Sequence, residues 1–405
     1  MADKSRHIVL RVTRPATRDP FLGPMAAAAG VEAAPAPTDV KVDIEEATQS
    51  QIPALSRQPD VVAVAPAMPM RLVVPVATAA DAAPVPAPAP APAATNTWGI
   101  AAVGADTSPC DGSGVIVAVL DTGIDKTHPA FAGVTIIEQD FTGAGNGDSN
   151  GHGTHCAGTI FGRDVSGTRI GVARGVTRAL IGKVIGPTGG SSDHIVSAIQ
   201  WALDNGANVI SMSLGIDFPG YQAQLEASGK PKQVATSMAL EGYRANVQLF
   251  ERLASLIRAR AAFSLPCIVI AAAGNESERD TDPTFVIAVA PPAVADGIIS
   301  VAAVGQGTGG FTVAPFSNTG ANVAGPGVGI VSAKVGGGLR TLSGTSMATP
   351  HVAGVAALWA QRVMQTGPLT SLPWSARLIA SGNTTGFAAG FDPFDFGAGL
   401  VHAPQ

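Results

Sequence analysis

Val115-Ile116-Val117-Ala118-Val119-Leu120-Asp121 is the stretch whose reading decides the fold. Six apolar residues in a row, without polar alternation, are the pattern of a strand covered on both faces, as in a parallel sheet. The run ends in a carboxylate, and open α/β sheets build their sites at the carboxyl ends of strands. Working outward, residues 180–185, 209–213 and 268–273 are further apolar runs. Between them lie helical segments, one opening at His152, one over residues 192–205, and one over residues 239–262. In the last of these Leu249, Leu253, Leu256 and Ile257 make one apolar face. The alternation predicts an α/β fold, a parallel sheet with helices on both faces. Residues 218–232, with two prolines and two glycines, read as an exposed loop.

Two more stretches carry chemistry. Asn150-Gly151-His152-Gly153-Thr154-His155-Cys156-Ala157-Gly158 sets a histidine between two glycines at the start of a small-residue helix. Gly344-Thr345-Ser346-Met347-Ala348-Thr349-Pro350-His351-Val352-Ala353-Gly354 sets a serine at the mouth of another. A helix N-terminus offers free N–H groups and a partial positive charge where an oxyanion would form. A serine hydroxyl is a poor nucleophile at neutral pH and needs a base, so the histidine is the partner to look for. His155 and His128 suggest a metal, but no Cys/Asp/Glu cluster accompanies them, and structural roles are expected.

Asp121, His152 and Ser346 follow one another in the chain order of the subtilases, and the sequence resembles that family over roughly residues 98–404. The resemblance rests on the three runs above and on four others. Asn208-Val209-Ile210-Ser211-Met212-Ser213-Leu214-Gly215 is similar to the substrate-pairing strand. Ile270-Ala271-Ala272-Ala273-Gly274-Asn275-Glu276 is similar to the segment with the oxyanion-hole asparagine. Gly325-Pro326-Gly327 and Gly397-Ala398-Gly399-Leu400-Val401 also fit. The resemblance implies a serine endopeptidase with Ser346 as nucleophile, His152 as general base and then acid, and Asp121 orienting His152. Asn275 would stabilise the oxyanion beside the Ser346 backbone N–H, with Gly274 at the cleft. Gly189, Gly190 and Ser191 on one side, and Ser213, Leu214 and Gly215 on the other, would pair with an extended polypeptide substrate. Glu276, next to Asn275, would sit at the rim of the pocket for the residue before the scissile bond and mildly favour basic or polar side chains there. Met347, next to the nucleophile, is expected to be open to peroxide. A processing protease or peptide macrocyclase would use the same acyl-enzyme, and a non-catalytic binding module could keep the same fold.

The chain has 405 residues, 46% hydrophobic, with 48 glycines and 31 prolines, enough for one large α/β domain and a small unit. A net charge of −5, without a Lys/Arg block, gives no reason to expect nucleic acid or an anionic membrane as partner. No run of strongly apolar residues is long enough for a transmembrane helix. The alanine run at residues 25–29 is too short and weakly apolar for a signal h-region. The expectation is a cytoplasmic protein, or one exported without a visible signal peptide. Cys110, Cys156 and Cys267 have no metal spacing. No cofactor is expected for catalysis. Where many subtilases hold a tight calcium, this chain has Ala130 and an arginine-flanked loop at residues 163–169, so that site is expected to be absent, although structural calcium elsewhere stays open.

Residues 1–75 read as a separate β-α-β unit, with strands near residues 8–12, 40–44 and 60–65 and a short helix within residues 48–57. Placed before a subtilase-like region, it resembles a family prodomain, a small α+β unit that would inhibit the enzyme in cis. Alternating Ala-Pro between residues 84 and 92 suits an extended spacer, so the expected organisation is 1–75, a linker over 76–97, and a catalytic domain over 98–405.

Overall fold

The computed structural model describes residues 4–13, 39–77, 95–261, 265–390 and 392–405. The alanine run and the Ala-Pro spacer lie outside the described residues.

Three strands, β1 (Ser5–Thr13), β2 (Asp39–Ala47) and β3 (Val61–Pro66), form an antiparallel sheet with β1 in the middle. A four-residue helix α1 (Ile52–Leu55) precedes β3. The chain then runs into β4 (Pro69–Leu72), which leaves this sheet and joins the larger body.

That body is built on an eight-stranded sheet. Its central strands are β5 (Ile116–Asp121), β7 (Arg178–Lys183), β9 (Val209–Met212) and β11 (Ile268–Ala272). All pair in parallel, and β6 (Thr135–Asp140) closes one side beyond β7. Beyond β11, the long strand β12 (Ile298–Gly307) pairs with β13 (Gly310–Val313) and β14 (Val323–Pro326). All four residues of β9 and all five of β11 are buried. Since successive side chains point to opposite faces, unbroken burial means both faces are covered. Helices α2 (His152–Phe161) and α6 (Thr345–Met364) pack on each other and on the sheet, while α3 (Ser192–Asp204) packs on β5 and β7.

Residues 218–232 correct the expectation of a loop. They hold α4 (Phe218–Ala227) and lead into α5 (Lys232–Arg260), a single helix of 29 residues. The prolines that read as breakers sit at helix starts, where a missing N–H costs nothing. Pro219 follows the cap Asp217, whose side chain accepts from Gly220 N, and Pro231 is itself the cap of α5. No residue of α4 is buried, so it carries no apolar period to read.

Candidate active site

Asp121 ends β5, and the first residue of α2 is His152. Gly151 caps this helix with φ 91°, a left-handed backbone that suits glycine. Gly153 is required for a different reason, since a Cβ there would lie 2.2 Å from the Gly123 carbonyl oxygen and 3.2 Å from Asp121 Cβ. Only a glycine lets the helix approach the strand end this closely. His152 Nδ1 then lies 2.8 Å from Asp121 Oδ1, which also accepts from Thr122 N. Asp148 fixes both partners' loops by accepting from Thr122 Oγ1, Gly151 N, Thr154 N and Thr154 Oγ1.

Asp121, His152 and Ser346 are all buried. Burial alone would push the His152 pKa down, but the Asp121 carboxylate, with the neighbouring Cys156 acting in the same direction, outweighs it and holds the ring well above the ordinary histidine value of 6.5. His155, one helical step on, donates to the carbonyls of Ile330 and Arg340, and burial lowers its pKa to about 3. It is a neutral structural residue, as expected. His128 donates from Nε2 to Gly338 O and accepts at Nδ1 from Ala130 N.

Ser346 stands in the first turn of α6, and its carbonyl accepts from Ser213 Oγ and Cys156 Sγ. Its hydroxyl points to Met347 Sδ at 3.3 Å, and His152 Nε2 has no hydrogen-bond partner. The Ser346 hydroxyl thus makes no hydrogen bond to the His152 ring. Met347 is fully buried, which corrects the expectation that peroxide would reach it. Cys156 Sγ is 3.8 Å from His152 Nδ1, and burial raises the thiol pKa, so the sulfur stays protonated. Among the described residues, Asp121, His152 and Cys156 form a group whose ligand atoms could converge on a metal; the Asp121–His152 hydrogen bond already accounts for two of them.

Asn275 follows Gly274, whose φ of 114° turns the chain at the end of β11. Its Oδ1 accepts from Thr345 N and Oγ1, which aims Nδ2 the other way. Gly344 keeps the space in front clear, because a Cβ there would lie 2.8 Å from Ser346 Oγ and 2.9 Å from Asn275 Nδ2.

That space holds the chain's own residues. Strand β4 lies between β8 (Gly189–Ser191) and β10 (Leu214–Ile216), antiparallel to both, with Met70 facing Gly190, Arg71 facing Gly215 and Leu72 facing Leu214. Val73 N donates to Ser213 O. Asn275 Nδ2 donates to the Val74 carbonyl at 2.9 Å, and Val76 N donates to Ser343 O at 2.8 Å. The cleft residues read from the sequence are therefore brought together around one peptide strand. Sequence reading missed Asp148, Thr122 and Asp217; Thr122 adjoins Asp121 and Asp148 lies two residues before the Asn-Gly-His run, while Asp217 carried no local signal.

At the expected calcium position Ala130 is buried, and Arg163 donates to the carbonyls of Phe161, Arg174 and Val176. A guanidinium thus gathers the loop carbonyls.

The sequence profile described as the subtilase family matches residues 112–391. A subtilisin-like protease 6 of Trichophyton rubrum is 34% identical over 283 residues, 67% of this chain and 60% of that protein. Subtilisin DY of Bacillus licheniformis is 32% identical over 318 residues, 76% of this chain and 97% of its own length. An alkaline serine exoprotease A of Vibrio alginolyticus is 35% identical over 266 residues, 64% of this chain and 40% of that protein. The chain spans about 60% of the length of the fungal relatives it matches.

Proposed function

The chain belongs to the subtilase family, and we propose that it is a serine endopeptidase whose own N-terminal residues occupy and inhibit its cleft. The observation that carries this reading is the Asn275 Nδ2 hydrogen bond to the Val74 carbonyl, made by a strand paired on both edges. A carbonyl in that place is where the donors must act when charge develops on its oxygen.

The chemistry follows from the positions. Rotation of the Ser346 side chain from Met347 Sδ toward His152 Nε2 gives the base its proton to take. Oγ attacks the carbonyl carbon, the proton passes to Nε2, and the oxyanion is met by Asn275 Nδ2 and the Ser346 N–H. Asp121 holds Nδ1–H and stabilises the imidazolium. Collapse returns that proton to the leaving amine and leaves an ester on Ser346, which water cleaves by the same steps in reverse. Backbone pairing along β8 and β10 binds an extended polypeptide with little demand on sequence. The catalytic steps use no cofactor, and Arg163, just past the end of α2, supplies a positive charge to the carbonyls of Phe161, Arg174 and Val176.

A fluorophosphonate probe tests the reading. It should label one residue, Ser346, and Ser346→Ala should neither label nor cleave peptides. The expected loss is about 2 × 10⁶ in kcat, the figure measured in subtilisin itself, a member of this family. Substantial peptidase activity in Ser346→Ala would overturn the assignment.

A further inference from the structure

The occupied cleft shows more than how backbone is held. We propose that Asp217 and Glu276 form a subsite for a basic side chain, arginine above all, at the substrate position facing Gly215, three residues ahead of the scissile carbonyl. The inference rests on the endopeptidase reading above and names the substrate feature that its cleft selects.

Arg71 marks the position. It faces Gly215 in β10, and the carbonyl held at Asn275 belongs to Val74. One guanidinium nitrogen lies 3.4 Å from Asp217 Oδ1 and another 3.2 Å from Glu276 Oε1. The two carboxylates come from different parts of the cleft. Asp217 directly follows β10, and Glu276 directly follows the oxyanion donor Asn275.

Neither carboxylate depends on Arg71 for its position. Asp217 caps α4 by accepting from Gly220 N. Glu276 N donates to Asn318 Oδ1 at 3.0 Å, and Glu276 Oε2 accepts from Asn318 Nδ2 at 2.7 Å. Acceptors held in advance lose little freedom when a ligand arrives. Two separate carboxylates suit a planar fork with several donors better than the compact charge of lysine.

The groups are partly open to water, with Arg71 at 44% exposure, so the attraction is modest. Each exposed pair contributes a fraction of a tenfold step, and together they should favour arginine over alanine by about three- to tenfold, less at high salt. Glutamate at the same position should be disfavoured.

The test compares peptides identical except for Arg, Lys, Ala or Glu at that position. The reading is the ratio of kcat/KM between peptides within each enzyme: wild type, Asp217→Asn, Glu276→Gln and the double variant. Arginine should lead by about three- to tenfold in wild type, and the ratio should fall toward one in the double variant. A ratio of one in wild type, or one that survives the double substitution, would overturn the subsite while leaving the endopeptidase intact. If no peptide is cut and Ser346 takes no fluorophosphonate, the endopeptidase reading itself fails. The subsite is then judged in the full-length Ser346→Ala protein by hydrogen exchange of residues 69–76. Arg71→Glu should speed that exchange, and unchanged exchange would overturn the contact.

Discussion

The raised pKa of His152 has a consequence for pH dependence. A general base must be neutral to accept the Ser346 proton, and the Asp121 contact favours the charged ring. Clearing the cleft would relieve burial, which acts to lower the pKa, and would leave Asp121 in place, so the direction should persist. Acylation is therefore expected to rise with pH through a value above the ordinary histidine range, while the Asp121–His152 attraction works the other way on stability. A histidine whose folded pKa is raised contributes stability that is complete below its unfolded pKa and is lost as pH rises through the folded one. The rate of fluorophosphonate labelling, followed from about pH 6 to about pH 10, checks this. A profile that is flat or falling with pH would contradict it. The Ser346 hydroxyl adds to the expectation, since a neutral Nε2 is the acceptor that can draw it from Met347 Sδ.

Helix α5 shows what an insertion can do for a fold. Its buried residues Ala235, Ala239, Gly242, Asn246, Leu249, Phe250, Leu253, Ala254 and Ile257 recur every three or four positions, a single stripe along the helix. The end from Leu249 onward joins the core of the large body. The earlier part meets the N-terminal unit: Asn246 Nδ2 donates to Pro66 O, and Gly242 lies against Met68 Sδ and Pro66 Cγ. Asn246→Ala should leave the Pro66 carbonyl unpaired and cost about 1–2 kcal/mol of docking. Hydrogen exchange in Val61–Pro66 and Pro69–Leu72 should then quicken, with Ile116–Asp121 unchanged. Equal quickening in all three would make Asn246 a support of the core instead. The central strands were legible because burial on both faces leaves an unbroken apolar run. The residues around His152, Ser346 and Asn275 were legible because close backbone approach demands glycine at fixed places, as at Gly153 and Gly344. Strand Thr135–Asp140 was not, because it lies at the sheet's edge beside β7 and carries no buried residue, so its pattern is mostly polar. The Asp217–Arg71–Glu276 contact was not, because it joins three segments far apart in the chain.

At the scale of the whole molecule, the N-terminal sheet and the catalytic body share contacts that a loosely tethered unit would lack. Gln200 of α3 accepts from Val42 N and donates to Val40 O, so it extends the sheet's edge. Arg6 reaches the buried Asp193 at the start of α3, and Ser192 exchanges hydrogen bonds with Met68 in both directions. Ile8, Leu10, Ala65, Met68 and Met70 belong to the same apolar core as the central sheet. The strand is thus delivered to the cleft by a docked body, and the question becomes what Ser346 can do to it. The bond following the Asn275-held carbonyl joins Val74 to Pro75. Its nitrogen is a tertiary amide in a ring with fixed φ, so the side where His152 must deliver a proton to the leaving group is crowded by ring carbons. Cleavage there should be slow, and the unit should persist as a substrate-like inhibitor. Pro75→Ala should speed self-cleavage at this bond by about tenfold or more, since an ordinary secondary amide removes the obstruction. Intact-mass measurement over time on wild type, Pro75→Ala and Pro75→Ala/Ser346→Ala would decide it. The single variant should split after Val74 while the double variant stays whole. Equal rates in wild type and Pro75→Ala would remove the proline from the account, and splitting of the double variant would show that a contaminating protease, not Ser346, makes the cut.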